Sequence, residues 1–359
     1  QSRHPAERPV TIPPATMHRA APLDACPKNM TYGPCGGVNP DGSCEAHPDP
    51  CVFLQRELPV RWPDAATTPV PAPTAAATEV ADILARRALV MTGFPARPMV
   101  ADDVSRVAEV LAPHTDAALS GDAATSRTQF PPSYRGHLMT AAGIRAWIGV
   151  NARDRNRVAL EGELAALRHA GVAGVHCVTG DHTETGDRPD AAPVFDLEAT
   201  TLLPRARAHG LLPSFAESPA APHRLRGPSV AEKQRAGGRL CLTQYCGGVD
   251  EVAAFIERCR GAGATAPVLP GVPVIVDDDG AALLASFHAA LLPPGYAERL
   301  RTARDMRSEG IRLAIEYGSA LLEVPGVAGV VVAGGARRGD EIAYARALAT
   351  IARELGGGA

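Results

Sequence analysis

Short runs of apolar residues alternate along most of the chain with longer segments in which apolar residues recur at helical spacing. The short runs have the length and composition of buried strands, and the longer segments those of amphipathic helices. Strands are predicted at 88–94, 116–120, 146–151, 173–179, 212–217, 239–245, 267–275 and 327–333. Helices are predicted between most of them, for example at 101–112, 156–169, 250–261 and 339–355.

Eight alternating strand and helix units are the number typical of a (β/α)₈ barrel, and an open doubly wound sheet is the alternative. In a barrel of this kind the functional groups lie at the C-terminal ends of the strands. We therefore expect the site among the polar residues that follow the predicted strands, which include Thr92, Asp122, Asn151, Gly180, Asp181, His182, Glu217 and Gln244.

The N-terminal part of the chain lacks this alternation. Residues 1–62 combine a Pro-rich arm with a cysteine-rich segment, residues 63–78 form a Pro/Ala/Thr linker, and residues 79–359 form the predicted barrel. A short segment rich in Gly and Pro cannot build its own apolar core, so it needs a covalent or metal staple.

Four of the eight cysteines lie close together, namely Cys26, Cys35, Cys44 and Cys51. Four thiolates complete a tetrahedral shell for zinc, and the same ligand set binds a [4Fe-4S] cluster. The paired CxxC spacing of zinc knuckles is absent here, so both metals stay open, and His47 is a substitute ligand. Two structural disulfides or four free thiols are the alternative to a metal site.

Composition and charge narrow the class of protein. A 45% apolar share allows a sizeable core, and a net charge of −3 argues against nucleic-acid binding. No apolar run has the length of a membrane span, and the polar, Pro-rich start does not resemble a signal peptide. A cytoplasmic enzyme is the expectation.

The cysteine segment contains Cys, Pro, Lys and Gly residues in a distinctive order, at Cys26-Pro27-Lys28, Gly33 to Gly37, Gly42, Cys44-Glu45 and Cys51. This pattern resembles the domain known as the methylenetetrahydrofolate reductase C-terminal domain. In acetogens that domain occurs in the partner subunit of the reductase, whereas here it precedes the predicted barrel within one chain.

The predicted barrel resembles the methylenetetrahydrofolate reductases themselves. The end of the fourth strand, VTGDH at 178–182, is similar to the family's RGD segment, and the sixth strand carries the family's Thr-Gln pair. The resemblance implies that Asp181 contacts flavin and pterin and that Gln244 hydrogen-bonds the pterin. It also implies FAD as cofactor, a tetrahydrofolate derivative as ligand, and an electron donor that is either NAD(P)H or a protein. Its predicted cofactor contacts are Asp181, Gly180, His182, Lys233 and Asn151.

One departure from the family changes the expected chemistry. The family's first strand ends in a motif whose Glu protonates the folate, and this chain has Thr92 at that position. A threonine hydroxyl is too weak an acid for this step near neutral pH. The Arg before the family's Gly-Asp is also replaced, by Thr179. With Thr92 lining the pocket, a different acid such as Glu217 or Asp122 has taken over, or the reaction has changed.

Three functions therefore remain for the chain. The first is a flavin-dependent reductase of one-carbon metabolism, with Asp181, Glu217 and Thr92 as candidate catalytic residues. The second is a folate-dependent methylene or methyl transferase that has lost the standard acid. The third is a non-catalytic subunit that docks to a partner enzyme through the cysteine segment. Association of the chain with copies of itself is a further open alternative.

Overall fold

A computed structural model describes residues 26–63, 70–122, 126–219, 222–287 and 290–358. The predicted N-terminal arm and part of the predicted linker lie outside these residues. Within the described ranges, no helix is both long and apolar enough to cross a lipid bilayer.

The strands lie close to the predicted positions and all neighbouring pairs are parallel. In chain order they are β1 (Leu89–Gly93), β2 (Ala117–Ser120), β3 (Ala146–Asn151), β4 (Gly174–Val178), β5 (Pro213–Glu217), β6 (Leu240–Thr243), β7 (Val268–Leu269), β8 (Gly271–Ile275) and β9 (Gly329–Gly335). Their order in the sheet is β7-β6-β5-β4-β3-β2-β1-β9-β8.

The sheet closes on itself because β7 and β8 are two segments of one barrel strand, separated by Pro270. Proline has no N–H to donate, so it interrupts the ladder. Its carbonyl still accepts a hydrogen bond from the amide of Val331 at 2.9 Å. β7 pairs with β6, β8 pairs with β9, and β9 pairs with β1, so the strands return to their start. The predicted (β/α)₈ barrel is confirmed, and the open doubly wound sheet is excluded.

Helices separate the strands. They are α1 (Ala75–Arg86), α2 (Ala101–Leu111), α3 (Pro132–Ala141), α4 (Arg157–Ala170), α5 (Ala199–Ala208), α6 (His223–Arg235), α7 (Val249–Gly261), α8 (Asp278–Ala285), α9 (Tyr296–Thr302), α10 (Met306–Leu322) and α11 (Glu341–Glu354). α1 begins inside the segment predicted as a linker, because Thr74 caps it by accepting a hydrogen bond from the amide of Ala77 at 3.0 Å.

The strands are buried on both faces. Leu89 and Met91 of β1 belong to an apolar cluster inside the barrel, whereas Val90 belongs to the cluster between sheet and helices. This alternation follows from the two-residue period of a strand. Val80 and Ile83 of α1 join the inner cluster, so α1 covers the barrel at the end where the strands begin. The opposite end is the mouth.

Residues 26–63, called the cysteine module below, have little regular structure. They contain one 3₁₀ turn (Val52–Gln55) and two isolated antiparallel bridges, Val38 to Cys44 and Ser43 to Pro50. Met30 and Phe53 of the module pack with Leu225 of α6 in one buried cluster. The module therefore completes its apolar packing against the barrel.

The packing at Gly149 in β3 gives a test of the fold. A Cβ atom there would lie 2.8 Å from the Cα of Gly121, so Gly149→Ala should cost about 1–3 kcal/mol of unfolding free energy. Gly162, inside α4, has nothing within 4 Å of such an atom, and Gly162→Ala should stabilise by up to about 1 kcal/mol. Urea unfolding followed by circular dichroism measures both, and equal effects would contradict the close approach at Gly149.

Candidate functional site

Side chains from the ends of β2 and β3 are joined at the mouth. The Asn151 amide donates hydrogen bonds to both carboxylate oxygens of Asp122, at 2.9 and 2.7 Å. Arg153, whose side chain is fully buried, lies 3.2 Å from the same carboxylate. The Asp122 carboxylate and the Asn151 amide are therefore engaged with each other and with Arg153, which argues against their predicted roles as replacement acid and flavin contact.

Asp181 follows β4 and reaches solvent. Gly180 before it has φ +91°, and a Cβ atom there would lie 3.2 Å from the Cβ atoms of Asn151 and Arg153. Glycine is favoured in this conformation because it lacks that atom. The Asp181 side chain is 64% exposed and lies 3.5 Å from the Arg127 guanidinium. Its carboxylate is thus accessible at the mouth.

Gln244 extends the inward-facing side of β6 beyond Leu242. Its amide N–H donates to the carbonyl of Glu217 at 3.0 Å, and its side-chain oxygen accepts from the amide of Tyr245 at 3.1 Å. Within the described part of the chain, the side-chain nitrogen of Gln244 has no hydrogen-bond partner. The structure therefore brings Asp181 and Gln244 to the same end of the barrel, each with capacity to bind.

Glu217 lies on the same face of β5 as Phe215, which packs between sheet and helices. Its carboxylate is 2.8 Å from Arg226 and 2.9 Å from Lys233, both on α6. Burial alone would raise the pKa of Glu217, but the charges of Lys233 and Arg226 and their hydrogen bonds hold it below its ordinary value. Glu217 is consequently a fixed anion, which argues against its predicted role as a replacement acid.

Thr92 is fully buried and shares the outward face of β1 with Val90. Its hydroxyl lies 3.2 Å from that of Thr115, which donates to the carbonyl of Ala117 at 2.8 Å. The expectation that Thr92 lines the pocket is therefore not supported, because its side chain points into the layer between sheet and helices.

The cysteine module docks beside the mouth over β4, β5 and the start of α5. The buried carboxylate of Glu198 accepts hydrogen bonds from the amides of Thr31 and Tyr32 at 3.2 and 3.1 Å. Arg226 donates to the carbonyl of Cys35 at 3.1 Å, and the amide of His182 donates to Glu45 at 2.9 Å. Each contact pairs a buried charge with the backbone, so the module is fixed in orientation.

Lys28 and Glu45 of the module form a buried ion pair next to the mouth. Burial would lower the pKa of Lys28, but Cys35, Glu45 and Asp181 raise it above the ordinary value. The ammonium is therefore a permanent positive charge that lies between the cysteines and the strand-end carboxylate Asp181.

The four module cysteines border one cavity of about 660 Å³, which His47 also lines. All four are free thiols, which removes the alternative of two disulfides. Burial raises the pKa of Cys26 and raises that of Cys51 to about 11. The amide of Gly37 lies 3.4 Å from the sulfur of Cys35. Among the described residues, however, no three His, Cys, Asp or Glu side chains are placed to hold a single metal ion.

Two of the predicted flavin contacts, Lys233 and the amide of His182, are engaged within the protein. The Lys233 ammonium is bound by Glu217 and by the carbonyl of Ala216, at 2.9 and 2.8 Å. His182 is buried and its amide is bound by Glu45. Thr179, which replaces the family's Arg, accepts from the amide of Ala199 at 3.0 Å and lies against Met30 of the module. The cysteine module thus covers the side of the mouth where the cofactor was expected.

Sequence reasoning missed two features of the site. His176, on β4, is a polar residue inside the barrel, where strand residues are usually apolar. The presence of a histidine within the apolar run 173–179 was the feature of the sequence that could have indicated a functional residue. Glu198, which anchors the module, carried no signal, because acidic residues are common at the start of a helix.

The fold and the polar groups at its mouth define a (β/α)₈-barrel protein with a site at the C-terminal ends of the strands. Residues 98–330 match the family described as methylenetetrahydrofolate reductase, which is more than half of the chain, so the chain belongs to this family. Residues 15–58 match the family described as methylene-tetrahydrofolate reductase C terminal. The reductase match begins after the segment that contains Thr92. No curated protein shows a significant sequence match.

A solved structure shows the same fold at low sequence identity. An uncharacterized protein from Clostridium thermocellum that binds two copies of 5-methyl-5,6,7,8-tetrahydrofolic acid is 15% identical, with a TM-score of 0.53, over 75% of this chain and 96% of that one. Dihydropteroate synthase from Thermus thermophilus is 14% identical, with a TM-score of 0.40, over 73% of this chain and 92% of that one.

The buried pairing of Glu217 predicts a pH-dependent stability difference. Glu217→Gln should cost about 3–5 kcal/mol near neutral pH, because it leaves Arg226 and Lys233 buried without their anion. Since the folded-state pKa is lowered, the stabilisation is present above the ordinary carboxyl pKa of about 4.3 and is lost as pH falls through the folded value. The gap between wild type and variant should therefore narrow in acid.

Denaturant unfolding at a series of pH values measures this gap. Glu184→Gln is the control, since Glu184 is 62% exposed and should change stability by less than about 0.5 kcal/mol. A Glu217→Gln protein as stable as wild type at pH 7 would show that the triad does not hold the carboxylate as described.

Proposed function

We propose that the barrel mouth binds a one-carbon derivative of tetrahydrofolate, with Asp181 and Gln244 on the pterin. The observation that carries this proposal is that a member of the reductase family presents an exposed carboxylate and an unoccupied carboxamide nitrogen at one end of its barrel. A carboxylate accepts hydrogen bonds and a carboxamide both donates and accepts. Together they match the amino and carbonyl groups on the edge of a pterin ring.

The reaction implied by the resemblance is hydride transfer from flavin to 5,10-methylenetetrahydrofolate, with NAD(P)H or a protein as the electron donor. The contacts around the mouth give this route little support. Thr92 points away from the mouth, Glu217 is an anion held by Arg226 and Lys233, and Asp122 is engaged by Asn151 and Arg153. Of the residues expected to hold FAD, Lys233, Asn151 and the amide of His182 are already engaged. Chemistry that needs neither the standard acid nor flavin, such as methylene or methyl transfer on folate, is better supported.

We propose that the four module cysteines hold a metal centre. They border a common cavity, and a backbone amide approaches one sulfur, which is the environment that thiolate ligands need. The cavity of about 660 Å³ is larger than one ion requires, which favours an iron–sulfur cluster over zinc. Such a centre would stabilise the module and supply redox chemistry if it is an iron–sulfur cluster.

The third hypothesis, a subunit that docks to a separate enzyme, has the least support. The module uses its buried polar contacts on its own barrel, through Glu198, His182 and Arg226. Those groups are therefore not available to another protein.

Folate binding has a direct test. Gln244→Ala and Asp181→Asn should each weaken binding of 5-methyltetrahydrofolate about tenfold or more, because each removes a hydrogen bond worth roughly 1.5–3 kcal/mol in a partly desolvated site. Isothermal titration calorimetry measures the dissociation constants. Gln234→Ala is the matched control. Gln234 lies on α6 and bonds to Thr265 at 2.8 Å, away from the C-terminal ends of the strands, so the affinity of this variant for 5-methyltetrahydrofolate should not change. Unaltered binding in both site variants would refute the assignment.

Cofactor content has a separate test in the anaerobically purified full-length protein. We expect iron and acid-labile sulfide, a broad visible absorption, and no flavin after incubation with FAD and dialysis. Replacing Cys35 and Cys44 together by Ser should abolish the iron. Stoichiometric tightly bound FAD would overturn the conclusion that the module blocks the flavin contacts, and stoichiometric zinc without iron would overturn the cluster.

A further inference from the structure

Three polar side chains form a chain of hydrogen bonds inside the barrel. The indole N–H of Trp147 on β3 donates to the hydroxyl of Ser214 on β5 at 2.8 Å. The Nδ1 atom of His176 on β4 lies 2.8 Å from the same hydroxyl. Ser214 and Trp147 are fully buried. Among the described residues, the imidazole is thus held through Nδ1, by a side chain at the same level of the neighbouring strand.

The three side chains occupy the inner face of the barrel. Trp147 belongs to the inner apolar cluster, and its ring lies against Gly174, where a Cβ atom would come within 2.5 Å of it. His176 follows Gly174 by two residues, so it points to the same side. Gly149 pairs with His176 in the neighbouring strand and leaves its flank without a side chain. The ring therefore lies on the inner face of the barrel, one layer beyond Trp147.

The second ring nitrogen, Nε2, has no hydrogen-bond partner within the described residues, and His176 is partly exposed. Buried or half-buried polar groups in proteins are normally paired. A histidine with a purely structural role would use both nitrogens or be replaced by the apolar residues that usually fill a barrel. Burial, with the nearby charge of Lys233, lowers the pKa of His176 to about 4, so the ring is neutral near pH 7.

We propose that His176 is a further ligand-contacting residue, whose Nε2 atom makes a hydrogen bond to an uncharged heteroaromatic edge that enters the mouth above it. The inference rests on the proposed function and extends it. In this arrangement Asp181 and Gln244 contact the ligand ring at the ends of β4 and β6, whereas His176 contacts it from inside the barrel. A neutral imidazole forms no ion pair with an anion. The ligand group that His176 contacts is therefore a ring nitrogen, a carbonyl or an amino group.

The test compares variants of His176 in the full-length protein, with 5-methyltetrahydrofolate as the probe. His176→Leu removes the hydrogen bond and places an apolar side chain where barrels usually have one, so it should fold and weaken binding about tenfold. His176→Gln keeps a donor and an acceptor and should lose less. His137→Leu, at an exposed position of α3, is the control and should bind as wild type does.

A second readout separates contact from a structural effect. In protein labelled with ¹⁵N-histidine, the Nε2 resonance of His176, identified by its loss in His176→Gln, should shift when the ligand saturates the site. An unchanged dissociation constant in folded His176→Leu, or an unshifted resonance, overturns this inference while leaving folate binding by Asp181 and Gln244 intact. Failure of the wild-type protein to bind the probe overturns the proposed function and this inference together.

Discussion

The buried carboxylate of Glu217 is the charge around which the mouth is organised. An anion removed from water is unfavourable unless cations and hydrogen bonds replace its hydration. Arg226 and Lys233 do so from α6, and they are fixed in turn by the requirement to stay paired. Because Arg226 also donates to the carbonyl of Cys35, the same interaction that attaches α6 to β5 places the cysteine module. Loss of the anion would leave two cations buried and release the contact to the module.

This arrangement divides the mouth into two sides. Over β4 and β5 the module supplies Glu45 and Met30 to groups at the strand ends, and Lys233 is turned towards Glu217. On the inner and rim side, the Asp181 carboxylate is exposed, and among the described residues the side-chain nitrogen of Gln244 and Nε2 of His176 have no hydrogen-bond partner. The groups that can still bind a ligand therefore lie on the second side. The chain has the barrel of a reductase family, yet its own N-terminal segment lies where the family's cofactor contacts were expected.

The barrel was predictable because each strand is a short apolar run between longer amphipathic ones, and β3 agrees with its predicted bounds. The orientation of Thr92 was not. In a parallel barrel both faces of a strand are buried, so Leu89, Val90 and Met91 give no alternation from which to read the inward side. The position of the module was also beyond sequence reasoning. It depends on backbone amides of Thr31 and Tyr32 meeting Glu198, and backbone groups leave no pattern in a sequence.

The predicted division into a cysteine domain and a barrel domain follows the change in amino-acid composition along the chain. It does not follow the buried contacts, which join the two parts. A domain boundary normally falls where few contacts cross. Here buried polar contacts cross the boundary, because Glu198, Arg226 and the amide of His182 each bond to the module. The ammonium of Lys28 adds a charge from the module to the surroundings of Asp181. One buried ammonium therefore interacts electrostatically with Cys35 of the module and with Asp181 at the end of β4, so the two parts share their charged groups as well as their packing.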